Sequence, residues 1–201
     1  MGIDDGIKPR KTPKQKRSQE TVTFILEAAA QVFGEKGYKK TTTNHIAERA
    51  GVSIGTIYQY FPNKDALLLV LAEHHISQGK QRIVSKIHSC RTDASAEQLL
   101  RILVDEVISF HHENRSLNGL IYDEAPRNRE LLHALQEAKT EIAQQVPLFS
   151  HRDPKRLLKS IILVDLIYTL IHEVVLQPPA GFSTEDCKEE VIRICLTYLK
   201  E

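Results

Sequence analysis

The stretch Thr42–Lys64, TTNHIAERAGVSIGTIYQYFPNK, decides the fold. It reads as two short helices joined by a tight turn, followed at once by the start of a third. Thr42 or Thr43 caps the first helix, because a hydroxyl there accepts a bond from an otherwise unpaired backbone N–H. Ile46, Ala47 and Ala50 supply the apolar stripe of a short helix packed on one side. Gly51 stops it, since glycine adopts the left-handed conformation a helix end requires. Ser53 caps the second helix, which runs over Ile54–Tyr60. Two helices linked by a short glycine-containing turn form a helix-turn-helix, whose second helix enters the major groove of duplex DNA.

The outward residues of that second helix suit such a task. Ser53, Gly55 and Thr56 are small, so the helix N-terminus can approach base edges and phosphates, and its unpaired N–H groups favour an anion. Ile54 stands outward where it can meet a thymine methyl. Asn44 is placed to reach a base or a phosphate. Thr42, Thr43, Tyr58, Tyr60 and Lys64 offer hydroxyls and a charge to phosphate oxygens. Ile57 and Phe61 are expected on the buried side.

From Gln19 to Gly79 the chain resembles the DNA-binding domain of the TetR/AcrR family of bacterial transcriptional regulators. The resemblance is carried by ILEAAAQVFGEKGYKKTTTNHIAERAGVSIGTIYQYFPNKDALL, with Ala28-Ala29, Phe33, Gly37-Tyr38, Thr42-Thr43, Ile46-Ala47, Ala50-Gly51-Val52-Ser53, Thr56-Ile57-Tyr58, Tyr60-Phe61 and Lys64 in register. It covers roughly the first third of the chain. It implies about nine helices, a C-terminal bundle that holds an effector, and a dimer interface built from the last two helices.

Charge distribution agrees with this division. Residues 1–64 carry 11 Lys and Arg against 6 Asp and Glu, whereas residues 65–201 carry 16 against 20. The basic surplus sits with the helix-turn-helix, as phosphate recognition demands. Part of it lies in residues 1–17, a polar segment read as a flexible arm: either it contacts DNA beside the main site or it has no role. The three cysteines, Cys90, Cys187 and Cys195, have no metal-ligand spacing, and the N-terminus has no apolar signal segment. A reduced, cytoplasmic setting is expected. The apolar run Leu157–Leu176 contains Lys159, Asp165, His172 and Glu173, which argues for a bundle helix rather than a membrane span.

Helical spacing places a first helix over 18–35, a fourth from Asn63 to about His88, and a fifth from Ser95 to about Glu113. A turn is expected over 114–118, then a short helix over 120–124 and another from Leu131 to Pro147. Asp153-Pro154 is expected to open a long helix reaching Leu176, and Ser183 or Thr184 a last one with Val191, Ile194, Cys195 and Tyr198 inward. No run shows the period-two alternation of strands, so the fold class is all-α. The domains expected are the arm at 1–17, the DNA-binding domain at 18–79 with its motif at 42–61, and an effector and dimerisation domain at 80–201.

Gly51-Val-Ser-Ile-Gly55 matches a nucleophile elbow, but a helix precedes it and no sheet surrounds it, so no enzyme is expected. The pairs His74-His75 and His111-His112 lack metal-ligand spacing, and neither a metal nor a cofactor is expected. Polar groups inside apolar helices (Asp165, Tyr168 and His172, with His111 and Tyr122 beside them in candidacy) are read as orienting groups of an effector pocket. The other reading pairs them within a dimer interface or has them cap packing defects. The function implied is a regulator, most consistent with a repressor, that binds a palindromic operator as a homodimer through about 154–176 and 184–200 and is released by an unidentified small molecule. A helical dimeric interaction protein without DNA binding is the alternative.

Overall fold

The computed structural model describes residues 16–90, 94–113, 115–124, 129–150 and 152–200. Among them it contains nine α-helices and no strand: α1 Lys16–Lys36, α2 Thr43–Ala50, α3 Ile54–Tyr60, α4 Lys64–Ser89, α5 Ala96–Glu113, α6 Arg115–Glu124, α7 Arg129–Gln145, α8 Arg156–Leu170 and α9 Thr184–Leu199. Lys16 and Arg17 open α1 rather than ending an arm; the remainder of the expected arm lies outside the described residues.

The chain forms two compact units, residues 1–75 with 114–133 and residues 76–113 with 134–201. The division thus falls within α4 rather than after residue 79, and α6 joins the first unit. In that unit Ile25, Ala29, Ile46, Ile57, Phe61 and Leu67 form a closed core, and Leu117 and Leu120 of α6 pack against it. Local chemistry sets the elements. Gly37 and Gly51 take φ of +72° and +65°, ending α1 and α2 in a conformation that costs other residues a steric penalty. Asn63 Oδ1 accepts from the Ala66 N–H at 2.9 Å and caps α4.

Expectation and structure part at α6. Residues 115–118 are helical rather than a turn. Asn118 is buried and meets His75 Nε2 at 2.7 Å through its Oδ1, so a tertiary bond to α4 holds a segment whose local composition favours a turn. Desolvation depresses the His75 pKa, and the Asn118 bond only partly offsets it.

In the second unit, Leu100, Val104, Leu163, Ile171, Val175, Ile192 and Cys195 build the core. Packing of α4 on α5 there is tight: a Cβ added at Gly79 would stand 2.8 Å from Phe110 Cε1. Ser95 Oγ accepts from the Gln98 N–H while Gln98 Oε1 accepts from the Ser95 N–H, a reciprocal cap for α5. The start expected at Asp153-Pro154 comes later. Asp153 Oδ1 accepts from the Lys155 N–H at 2.8 Å, which closes a separate turn, and α8 begins at Arg156. Nor does one regular helix reach Leu176, because Ile171–Val175 widens into a π-helical turn closed by Leu176 N–H to Ile171 O at 2.9 Å.

On α8, Leu157, Leu158 and Ile162 are 47%, 55% and 43% exposed. On α9, Val191, Ile192 and Cys195 face inward, whereas Ile194 is exposed and Tyr198 half-buried. The inward stripe is centred between 191, 192 and 195, and Ile194 stands at its flank, partly exposed. No helix among the described residues is long and apolar enough to cross a membrane.

Candidate nucleic-acid interface

Two caps position the outward face of the helix-turn-helix. Thr42 Oγ1 accepts from the His45 N–H at 3.3 Å, and the Thr42 N–H donates to His45 Nδ1 at 3.4 Å, a reciprocal cap in which histidine takes the usual glutamate place. Sequence reading missed the role of His45, although its place three residues after a capping threonine was the available signal. Ser53 Oγ accepts from the Thr56 N–H at 3.0 Å and lies 2.9 Å from Thr56 Oγ1. The first turn of α3 therefore presents Ser53, Ile54 and Gly55 to solvent on a fixed backbone.

Thr43 Oγ1 and the Tyr58 hydroxyl lie 3.1 Å apart and join the exposed sides of α2 and α3. Tyr58 is 43% and Ile54 36% exposed, and Asn44 is exposed beside them. Thr42, Thr43, Asn44, Ser53, Ile54, Gly55, Thr56 and Tyr58 are thus carried on the two capped helices or their caps.

Two expected members depart from the set. Tyr60 is buried, because it follows Ile57 by three residues and shares its inward face. Lys64 donates through Nζ to the carbonyls of Tyr38 at 2.8 Å and Thr41 at 3.2 Å and lies over the Tyr38 ring at 4.2 Å. Its charge clamps the α1–α2 connection rather than facing outward. Arg49 likewise forks onto Glu35, at 2.8 and 2.6 Å, and holds that carboxyl below the usual range.

A second constellation lies in the other unit. His111 and His172 are buried and face each other with 2.8 Å between their Nε2 atoms. His111 Nδ1 lies 2.7 Å from the Val107 carbonyl, which can only accept. In the neutral ring Nδ1 therefore carries the proton, and His172 Nε2–H donates to the lone pair of His111 Nε2. Burial, with His111 adding to it, pushes the His172 pKa down to about 3. The Tyr168 ring lies 4.5 Å from that of His172, and burial pushes its hydroxyl up to about 12. Lys139 stands 4.9 Å from the Tyr168 ring and pairs with Asp165 at 2.6 Å.

Four of the five expected pocket residues are thus linked, and Lys139 is a member that the reading missed. Tyr122 belongs to the other compact unit. Among the described residues, no three His, Cys, Asp or Glu side chains are grouped to hold a metal.

Comparison with known proteins bears on this geometry. Residues 25–71 match the family model of bacterial regulatory proteins, tetR family. The chain is 33% identical over 98 residues to the HTH-type transcriptional regulator YvdT of Bacillus subtilis, covering 49% of each. A crystal structure of a TetR-family transcriptional regulator from Mesorhizobium loti superposes with a TM-score of 0.69 at 22% identity, covering 92% of this chain and 98% of that one. Residues 25–71 are thus a TetR-family domain.

The chain is also 34% identical over 96 residues to the fatty acid metabolism regulator protein of Bacillus subtilis, covering 48% of this chain and 47% of that one. A regulator from Saccharomonospora viridis in complex with choline shares the fold, with a TM-score of 0.66 at 22% identity over 88% of this chain and 95% of that one. The matched stretches span about half the length of these curated relatives.

Proposed function

We propose that the chain is a ligand-responsive, DNA-binding transcriptional regulator that represses from a palindromic operator. The observation that carries this reading is the doubly capped helix-turn-helix with small, exposed residues at the start of α3. Thr42, Thr43, Asn44, Ser53, Ile54, Gly55, Thr56 and Tyr58 make the contacts, with phosphates taken by hydroxyls and backbone N–H groups and base edges met at Ile54, Gly55 and Thr56. Non-enzymatic work in the cytoplasm, without a cofactor, fits the same reading.

A homodimer presents two such helices about 34–36 Å apart, or a multiple of that, to successive major grooves. The exposed apolar residues Leu157, Leu158 and Ile162 of α8 and Ile194 of α9 support pairing through these two helices. The effector is assigned to the His111–His172–Tyr168 cluster. At neutral pH both the His172 ring and the Tyr168 phenol are uncharged, and Lys139 is neutralised by Asp165. That balance favours an uncharged, largely apolar molecule with one hydrogen-bonding group. α4 contributes to both units and carries the coupling, which requires the effector to prefer one of two states.

Footprinting and gel shifts on DNA flanking the gene, across a salt series, test the reading. A protected palindrome whose affinity falls steeply with salt is expected. Absence of protection at low salt on that DNA and across genomic fragments would overturn it.

A further inference from the structure

Among the cations of the first unit, two groups stand out. Arg49 and Lys64 are committed to Glu35 and to backbone carbonyls. Lys36, Lys39, Lys40 and Arg115 make no side-chain hydrogen bond or ion pair among the described residues, and all four line one groove of about 510 Å³. Asp123 is the carboxylate that lines it with them. In the second unit, by contrast, Arg82, Arg101, Lys188 and Arg193 each meet a carboxylate.

Like charges held around one concavity repel each other, and a multiply charged anion relieves that repulsion. The groove has the volume of a small-molecule site, roughly 300–1,000 Å³. Gly119 also lines it, and a Cβ there would meet nothing within 4 Å, so this part of the wall is open space. Half-buried Tyr38 and Leu120 add apolar surface beside the charges. Carboxylate partners are scarce and an arginine fork is present, a combination matched to the compact charge of a phosphate or diphosphate.

We propose that this groove, formed by the α1–α2 connection and α6, binds a phosphorylated small molecule through Lys36, Lys39, Lys40 and Arg115. The site is separate from the effector cluster and does not depend on it. A concave site closed by two elements takes a compact anion, whereas the capped helices α2 and α3 suit the convex duplex.

Calorimetric titration of the full chain with inorganic pyrophosphate and with ATP tests this, run at low and high salt. Saturable one-to-one binding is expected, weakened about tenfold or more in the Lys39→Gln/Arg115→Gln double variant, since each charge-assisted bond is worth about that factor. Gly119→Phe, which fills the groove from an exposed helical position, blocks binding, while His172→Leu leaves it unchanged. Thermal melts confirm that the variants fold. Equal affinity in the double variant, or no saturable binding, overturns the proposal. So does loss of salt-dependent binding to random duplex in the double variant without any pyrophosphate binding, which would hand the groove to the DNA backbone.

Discussion

The helix-turn-helix and the effector cluster are both polar sites on helices, yet they are built at different sequence distances. In the first, the decisive bonds span three residues: Thr42 with His45, Ser53 with Thr56, Asn63 with Ala66. In the second they span tens: His111 meets His172 across 61 positions. Several ion pairs of that unit also span long distances in sequence, with Arg101 reaching Glu189 across 88 positions and Lys80 reaching Glu141 across 61. A site made of caps forms with its helices and stays near solvent. One made of facing rings exists only after the core has closed, and burial there moves the His172 and Tyr168 pKa values.

That contrast can be broken experimentally, and the largest effect is expected at the DNA face. Gly55→Glu puts a carboxylate in the first turn of α3, where it favours the helix but repels phosphate. Operator affinity should fall by about a hundredfold, or about 2.7 kcal/mol, with the melting temperature kept. A variant that binds normally in a gel shift would remove α3 from the interface.

The cluster should respond in the opposite way, through stability. His172→Leu leaves His111 Nε2 facing an apolar group and should cost about 2 kcal/mol in denaturant unfolding. The pH dependence has a definite sign. His172 titrates near 3 in the folded chain and near 6.5 when unfolded, so the unfolded state binds more protons between those values. The stabilisation is complete above pH 6.5 and is lost as pH falls toward 3, at about 1.4 kcal/mol per pH unit. Comparison of wild type and His172→Leu over pH 4–7 isolates that contribution; identical slopes would mean the ring is not desolvated.

Smaller effects sharpen the same division. Gly79→Ala forces a methyl to 2.8 Å from Phe110 and should destabilise by about 1–2 kcal/mol, without touching either site. Lys64→Met keeps the stem but removes two carbonyl contacts, and a loss of about 1 kcal/mol in stability is expected with operator affinity retained. If affinity falls instead and stability holds, Lys64 is a phosphate contact after all. Arg49→Ala breaks an exposed pair and should leave the melting curve unchanged within scatter.

Legibility follows the same line. Thr42, Gly51 and Ser53 were readable because a cap is a relation between near neighbours, and the all-helical class was readable from apolar spacing. Tyr60 and Lys64 were misplaced because chemical type was taken for direction: a phenol three residues from Ile57 turns inward, and an ammonium beside two open carbonyls turns to them. The helix over 115–118 was hidden because its support, His75, lies 43 positions away from Asn118.

By itself the sequence determined where α2 and α3 begin and where α1 and α2 stop, since backbone conformation there answers to glycine and hydroxyl side chains within a turn. Through periodicity it also determined that the second unit is a bundle with polar groups inside. Only tertiary structure decided which of those groups meet. It joined His111 to His172, drew Lys139 to Asp165 and Tyr168, placed Tyr122 in the other unit, and left Leu158 and Ile162 facing outward. Contacts between distant segments depend on how cores pack and on a π-helical turn that carries His172, and neither is written in any short window of residues.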